Sequence, residues 1–554
     1  MQSKLVWGIF FVLLANSGLS LAMMHDSRAL EADPLSATAP IAPRLAGLGE
    51  YSFPVTTSNA ESQYFFNQGL RLTYAFNHSE ALRAFKESVR LDPGNAMAYW
   101  GWALVLGPNI NLPMQPYVRE QAFEAIQKAS ALTRIVSKRE AAYINALTRR
   151  YSNNRSATRA ELDKNYAEAM AALVRLYPED LDALTLYGAA LMNLSPWDYW
   201  HGDMSPKPNT EKILAAFESV LERAPRHPGA IHYYIHAVEL ARPKNAEVYA
   251  DTLVDLMPGA GHMVHMPSHI FMRVGRYEDA YRVNKQASAV DESYIAQCKA
   301  QGIYPLNYYP HNLHFLVWAA MFQGKSKVAL DGARRVQKRM PLEMVKKFKL
   351  LEGFLAQPMY VMVRFGLWEQ ALEEPAPLES FRFVTGVWHY MRGVARANLG
   401  EMSKAQEELE NLRGLRQTLP SDYTIGRASA SRLLQIAELL VNADLLRGYG
   451  KLDESIALLA RATRIEDSLL YNEPPDWYFP TRHVLGATLT EAGYFDEAEA
   501  VYWQDLRKAP DNGYSIKGLL NIAEARSDPR LAEYKSKFDV VWKSADVRLG
   551  SSRF

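Results

Sequence analysis

Past about Glu61 the chain reads as helical stretches joined by short turns, and one small unit keeps returning. A helix ends at a glycine, a short turn follows, and five residues after that glycine a small residue opens a second helix. The pairs are Gly275/Ala280, Gly324/Ala329, Gly366/Ala371, Gly400/Ala405, Gly450/Ser455 and Gly493/Ala498. Glycine accepts the left-handed backbone that closes the first helix, and a small residue lets the second helix pack closely on it. The pattern predicts helix pairs that bury their apolar faces only by stacking on neighbours, with little or no sheet.

Other units lack the turn glycine but keep the rest. Gly69, Ala81, Phe85 and Pro93 mark one of them, and Pro178, Pro225, Pro258 and Pro510 end helices elsewhere. This order of aromatic, small residue, turn glycine, alanine, bulky apolar residue and proline resembles the tetratricopeptide repeat family, over most of residues 61 to 535. The spacing is uneven, at 34 residues from Gly366 to Gly400 and 49 from Gly275 to Gly324. The resemblance implies an all-α, tetratricopeptide-like helical-repeat superhelix (an α-solenoid) of about nine to eleven helix pairs. In that family the first helix of each pair lines a concave surface.

The ends read differently. Lys4, the apolar run Leu5 to Ala15 and then Ser20-Leu21-Ala22 have the order of a cleavable export signal over residues 1 to 22. The run is shorter than the roughly 20 residues a bilayer span needs. The expected location is therefore periplasmic or secreted, with no membrane span after cleavage. Residues 23 to 60, rich in Ala, Pro, Ser and Thr, are expected to be a flexible lead-in. N-terminal repeats then cover 61–194, an aromatic and Pro-rich insertion 195–210, histidine-rich repeats 211–340, C-terminal repeats 341–540 and a tail 541–554.

Composition narrows the function classes. With 48% hydrophobic and 22% charged residues in 554, the chain has ample material for a large folded body. Its 62 basic and 61 acidic residues leave a net charge of +1, too small a field to recruit nucleic acid or an anionic membrane. Cys298 is the sole cysteine, so no internal disulfide can form.

The histidines change the picture most. Nine of 13 fall between His201 and His314, concentrated in His232-Tyr-Tyr-Ile-His236, His262-Met-Val-His265-Met-Pro-Ser-His269 and His311-Asn-Leu-His314. Counting back from Gly275 and Gly324 as fifteenth positions puts His262, His265 and His269 at the second, fifth and ninth, and His311 and His314 at the second and fifth. Starting the preceding unit three residues after Pro225 puts His232 and His236 at the fifth and ninth, and Glu239 at the twelfth. Intervals of three, four and seven residues share one helical face. In the resembled family these are the ligand-facing positions.

Three neighbouring helices would thus aim seven imidazoles at one patch, enough for one or two transition-metal ions. Imidazole without thiolate suits copper or zinc, and iron becomes possible if Glu239 takes part as ligand or as acid–base group. A histidine-lined organic ligand, a pH-responsive site and plain structural use are the competing readings. Pro267 falls inside its helix, where it either kinks the helix toward a shared ion or marks the helix start.

The insertion offers Trp197, Tyr199 and Trp200 as a cover, and His201 or Asp203 to a metal or substrate; the competing reading is that its aromatics only plug a gap between repeats. Tyr233, Tyr234, Tyr308 and Tyr309 read as packing. His389 falls at a packing position, whereas His483 falls at a fifth position and would face the same cavity if the superhelix closes on itself. No phosphate loop, nucleophile elbow or His-Glu-x-x-His helix is present. The chain also resembles secreted bacterial tetratricopeptide proteins with a His-Met-Pro-Ser-His segment, which brings no assigned reaction. The leading expectation is an exported metal-binding repeat protein, an oxidoreductase or hydrolase if an enzyme, taking a small molecule or peptide in its groove. The alternative is a metal-free periplasmic scaffold that binds a peptide or protein partner there.

Overall fold

A computed structural model describes residues 25–300 and 304–554, so the expected export signal, residues 1 to 22, lies outside the described residues. Among the described residues the fold is an all-α helical repeat, and the strands are the two-residue antiparallel pair Thr424–Ile425 and Ala428–Ser429. No described helix is long and apolar enough to cross a membrane. The chain divides into two compact units, Met1–Ile270 with Gln286–Tyr309, and Phe271–Lys285 with Pro310–Phe554, so the division falls inside the stretch 211–340.

In the first unit, Ala60–Tyr74 pairs with His78–Leu91, Ala96–Leu106 with Arg119–Ala131, Lys138–Thr148 with Arg159–Leu176, Leu181–Met192 with Thr210–Arg223, and Pro228–Val238 with Glu247–Leu253. Side chains that satisfy the first backbone N–H groups start these helices: Asn59, Asn95 and Asp180 accept them, and Ser137 and Thr158 form capping boxes with Glu140 and Glu161. Phe85 shows why the small and bulky positions go together. Its ring sits between Gly69 and Gly101, where an added Cβ would come within 2.7 and 2.3 Å of it. Helices can approach that closely only where no side chain intervenes.

The second unit contains the glycine-marked turns. Gly275, Gly324, Gly366, Gly400, Gly450 and Gly493 all hold φ between 62° and 87°. After each, the next residue's N–H bonds back five residues, as in Arg276 to Phe271 O at 2.8 Å and Tyr494 to Leu489 O at 2.9 Å. That bond satisfies a carbonyl the helix end would otherwise leave open. The small partners Ala280, Ala329, Ala371, Ala405 and Ala498 are fully buried. Ser455 fits the same role because its hydroxyl donates to Ala443 O at 2.8 Å.

One expectation about the ends needs correction. The supposed flexible lead-in packs against the first unit: Ala29, Ile41 and Phe53 are buried, and the Lys86 ammonium donates to the carbonyls of Ala29, Leu30 and Ala32 at 2.8 to 2.9 Å. Apart from the short helix Ser27–Glu31, its scattered apolar residues lack a helical period because they pack outside regular structure. The tail 541–554 is likewise pinned within the second unit. Asp546 accepts from the Ser326 N–H at 2.7 Å, Ser552 donates to His483 O at 2.6 Å, and Arg553 pairs with buried Asp444 at 2.5 and 2.8 Å.

Candidate metal centre

The helix Pro228–Val238 carries His232 and His236 one turn apart. Pro228 presets the first helical residue, and His227 caps the helix by accepting the Ala230 N–H at 3.1 Å on its Nδ1. Glu239 stands at the other end as C-cap. His262 and His265 sit on the helix Gly261–His265, and His269 sits on Pro267–Val274. Only Met266 interrupts the two, with helical φ −50° and ψ −39°, so proline breaks the run without ending it. His265 and His269 lie on either side of the break, with their Nε2 atoms 3.0 Å apart.

All six residues belong to the first unit, which runs to Ile270 here, and it brings His232, His236, Glu239, His262, His265 and His269 together. Two groups within that unit have ligand-type atoms all within 4.8 Å of one another: His232, His236 and His262, and His236, Glu239 and His269. His232 Nε2 lies 3.2 Å from His262 Nε2. Glu239 Oε2 lies 2.9 Å from His269 Nδ1 and 3.5 Å from His236 Nδ1. Ligands about 2.0 to 2.1 Å from a tetrahedral ion stand roughly 3.3 Å apart, so these separations match the edges of such a polyhedron.

Hydrogen bonding decides which nitrogens are available. His232 Nδ1 is 2.5 Å from the Tyr74 carbonyl, which only accepts, so Nδ1 carries the proton and Nε2 presents its lone pair. Ser268 Oγ lies 3.3 Å from His265 Nδ1. His236 is different. Both of its ring nitrogens are buried with no hydrogen-bond partner, whereas Glu239 is held through Oε2 by its contact with His269 Nδ1. A buried imidazole left with unsatisfied nitrogens costs about 1 to 3 kcal/mol without a compensating ion.

Electrostatics points the same way. Burial holds His232 well below the ordinary imidazole range and lowers His236, which favours the neutral form that ligates. Burial opposes ionisation of Glu239, but His269 and His236 outweigh it and lower its pKa. The site therefore offers imidazole nitrogens and one carboxylate oxygen. A three-imidazole group suits zinc or copper, and a group of two imidazoles and a carboxylate suits zinc or ferrous iron.

The walls of the site are aromatic. Phe76 places its ring 4.3 Å from His232, 5.7 Å from His262 and 6.1 Å from His236; Trp197 is 5.0 Å from His236, and Tyr308 is 4.8 Å from His262. Phe76 and Trp197 both hold left-handed backbone, φ 55° and 61°, which non-glycine residues adopt at a cost. Phe76 was absent from the sequence-based site. The signal was available: it stands five residues before Ala81, where other units have glycine. Tyr308, expected to be packing, is part of the wall.

Other expectations are corrected. His201 and Asp203 are exposed, and Asp203 accepts from Ser205 within its own turn. Trp200 anchors the insertion through its Nε1, which donates to Ala237 O at 2.8 Å, and the Tyr199 backbone carbonyl accepts from Lys207 N and Thr210 Oγ1. The six site residues are not on an open concave face, since none is more than 4% exposed. The insertion's Trp197 and the turn residue Phe76 cover them. His314 stands on the helix Tyr309–Phe322 in the second unit, beside Phe354, while His311 on the same helix keeps its place among the candidate ligands. His483 is in the second unit too, buried in a relay in which Arg364 donates to its Nδ1 at 3.0 Å and its Nε2 meets Asp505 at 2.8 Å. His389, expected as core, is partly exposed and pairs with Glu408 at 2.8 Å.

No family model and no curated protein matches the chain. Solved structures with some similarity include the Cut9–Hcn1 hetero-tetramer of the APC/C, at 12% identity over 89% of this chain and 76% of that one, with a TM-score of 0.29. A human IFIT1 dimer with m7Gppp-AAAA aligns at 12% identity over 89% of this chain and 92% of its own, with a TM-score of 0.30. Naa15/Naa10 bound to HypK-THB aligns at 11% identity over 87% and 71%, with a TM-score of 0.21. At those scores none of them bears on what this chain does.

Proposed function

We propose that this chain is an exported helical-repeat protein that holds a transition-metal ion on the buried patch formed by His232, His236, Glu239, His262, His265 and His269. The observation that carries this reading is His236, whose two ring nitrogens are buried without hydrogen bonds beside the Glu239 carboxylate. Ordinary structural use accounts for an imidazole bonded to a carbonyl, as at His232, or to a carboxylate, as at His269, but not for this ring. Copper or zinc fits the imidazole group, and Glu239 at the second group adds iron to the candidates. Hydrolytic or redox chemistry would follow from the ion bound.

A peptide-binding groove that used these histidines would need rings a partner can touch. The burial of all six opposes that alternative. The test is elemental analysis of the full chain purified without a histidine tag or chelating column, followed by melting with and without chelator. Stoichiometric metal and a melting temperature lowered by chelator are expected, because a ligand bound only to the native state stabilises it. Metal below about 0.2 equivalents with unchanged melting on chelation rejects the reading.

A further inference from the structure

We infer that the site is dinuclear, with the imidazole of His236 bridging two ions; this rests on the metal-binding reading above. Within the first unit, His236 is the one residue common to both ligand groups. Its two nitrogens lie on opposite edges of the ring, and neither has a hydrogen-bond partner. Nδ1 is 3.5 Å from Glu239 Oε2, which assigns that edge to the group completed by His269. Nε2 is left for the group of His232 and His262, whose own Nε2 atoms stand 3.2 Å apart.

The surroundings hold the ring for this role. Phe76 lies parallel to it, at an interplanar angle of 5°, and Trp197 meets it at 77°. Aromatic contacts fix the plane of the ring without using a nitrogen. A neutral imidazole carries one N–H proton, so binding an ion at each nitrogen releases that proton to solvent and leaves a bridging imidazolate.

Copper(II) titration of the tag-free full chain, followed by electron paramagnetic resonance, tests this. Two copper ions per chain are expected, and the mononuclear signal present at one equivalent should fall on adding the second, because the bridge couples the two spins. The variant His262→Gln keeps the carboxylate group and should bind one copper fewer, with no coupling. His236→Gln should lose the coupling while circular dichroism shows a folded chain. Uptake of one ion, or of two that stay magnetically independent, overturns the bridge and leaves the metal reading standing. No copper uptake overturns both.

Discussion

The ring of Phe76 lies parallel to that of His236, with centroids 6.1 Å apart, although Phe76 is a turn residue of a repeat that begins far earlier in the chain. The position at which other units place glycine here carries a side chain that walls the histidine patch. A backbone cost is accepted where the ring is needed.

Phe76→Gly would relieve left-handed strain of about 1 to 3 kcal/mol and remove an aromatic side chain whose truncation costs about 3 to 5 kcal/mol. Net destabilisation of about 1 to 3 kcal/mol in urea unfolding is expected, together with reduced metal content, although Phe76 supplies no ligand. A more stable variant with full metal content would contradict the role given to this ring.

Replacing His236 with Leu should affect the two forms of the protein differently. Without metal, losing two buried nitrogens that make no hydrogen bond is set against losing the ring beside Glu239, so the fold should change by no more than about 1 kcal/mol. The stabilisation that added metal gives the wild type should be lost. Melting of chelated and metal-loaded samples measures both, and a metal-free variant destabilised beyond that range would show that the ring is satisfied as it stands.

Acid sensitivity of the first unit should trace in part to His78. Burial lowers its pKa to about 3, and Asn109 lies 3.3 Å from its Nδ1. The unfolded chain, with a value near 6.5, takes up the proton first, so stability is complete above about pH 6.5 and falls as the pH drops toward 3. The loss is about 1.4 kcal/mol per pH unit. Urea unfolding at pH 7 and 4.5 should show a smaller difference for His78→Gln than for wild type. An unchanged difference would assign the sensitivity to other groups.

Arg553→Met should destabilise the second unit by about 3 to 5 kcal/mol, since it leaves a buried carboxylate unpaired. Asp444 is 5% exposed and forms its ion pair with Arg553 at 2.5 and 2.8 Å. A change under about 0.5 kcal/mol in denaturant unfolding, as at a typical surface position, would show that the ion pair does not hold this segment in place.

The repeat was legible in the sequence because its signals are local. Gly400 and Ala405 specify a turn and a close helix contact from five residues, and the structure has both. The histidine registers of His232, His236, His262, His265 and His269 were also legible, since helical period alone puts them on common faces. What covers them was not, because Phe76 reaches His232 across 156 residues of chain. The insertion showed the limit of composition. It named five candidates and could not separate Trp197, which reaches the site, from His201 and Asp203, which face solvent.

Lys86 bears on how the chain can be shortened. Its ammonium is fully buried and held by three carbonyls from residues 29 to 32, and burial lowers its pKa to about 7. A version begun at the first repeat, near residue 60, would strip away all three acceptors and bare both the amine and the surface on which Ala29 packs. The smallest piece able to fold around this amine starts upstream of the first recognisable repeat, at or before Ala29.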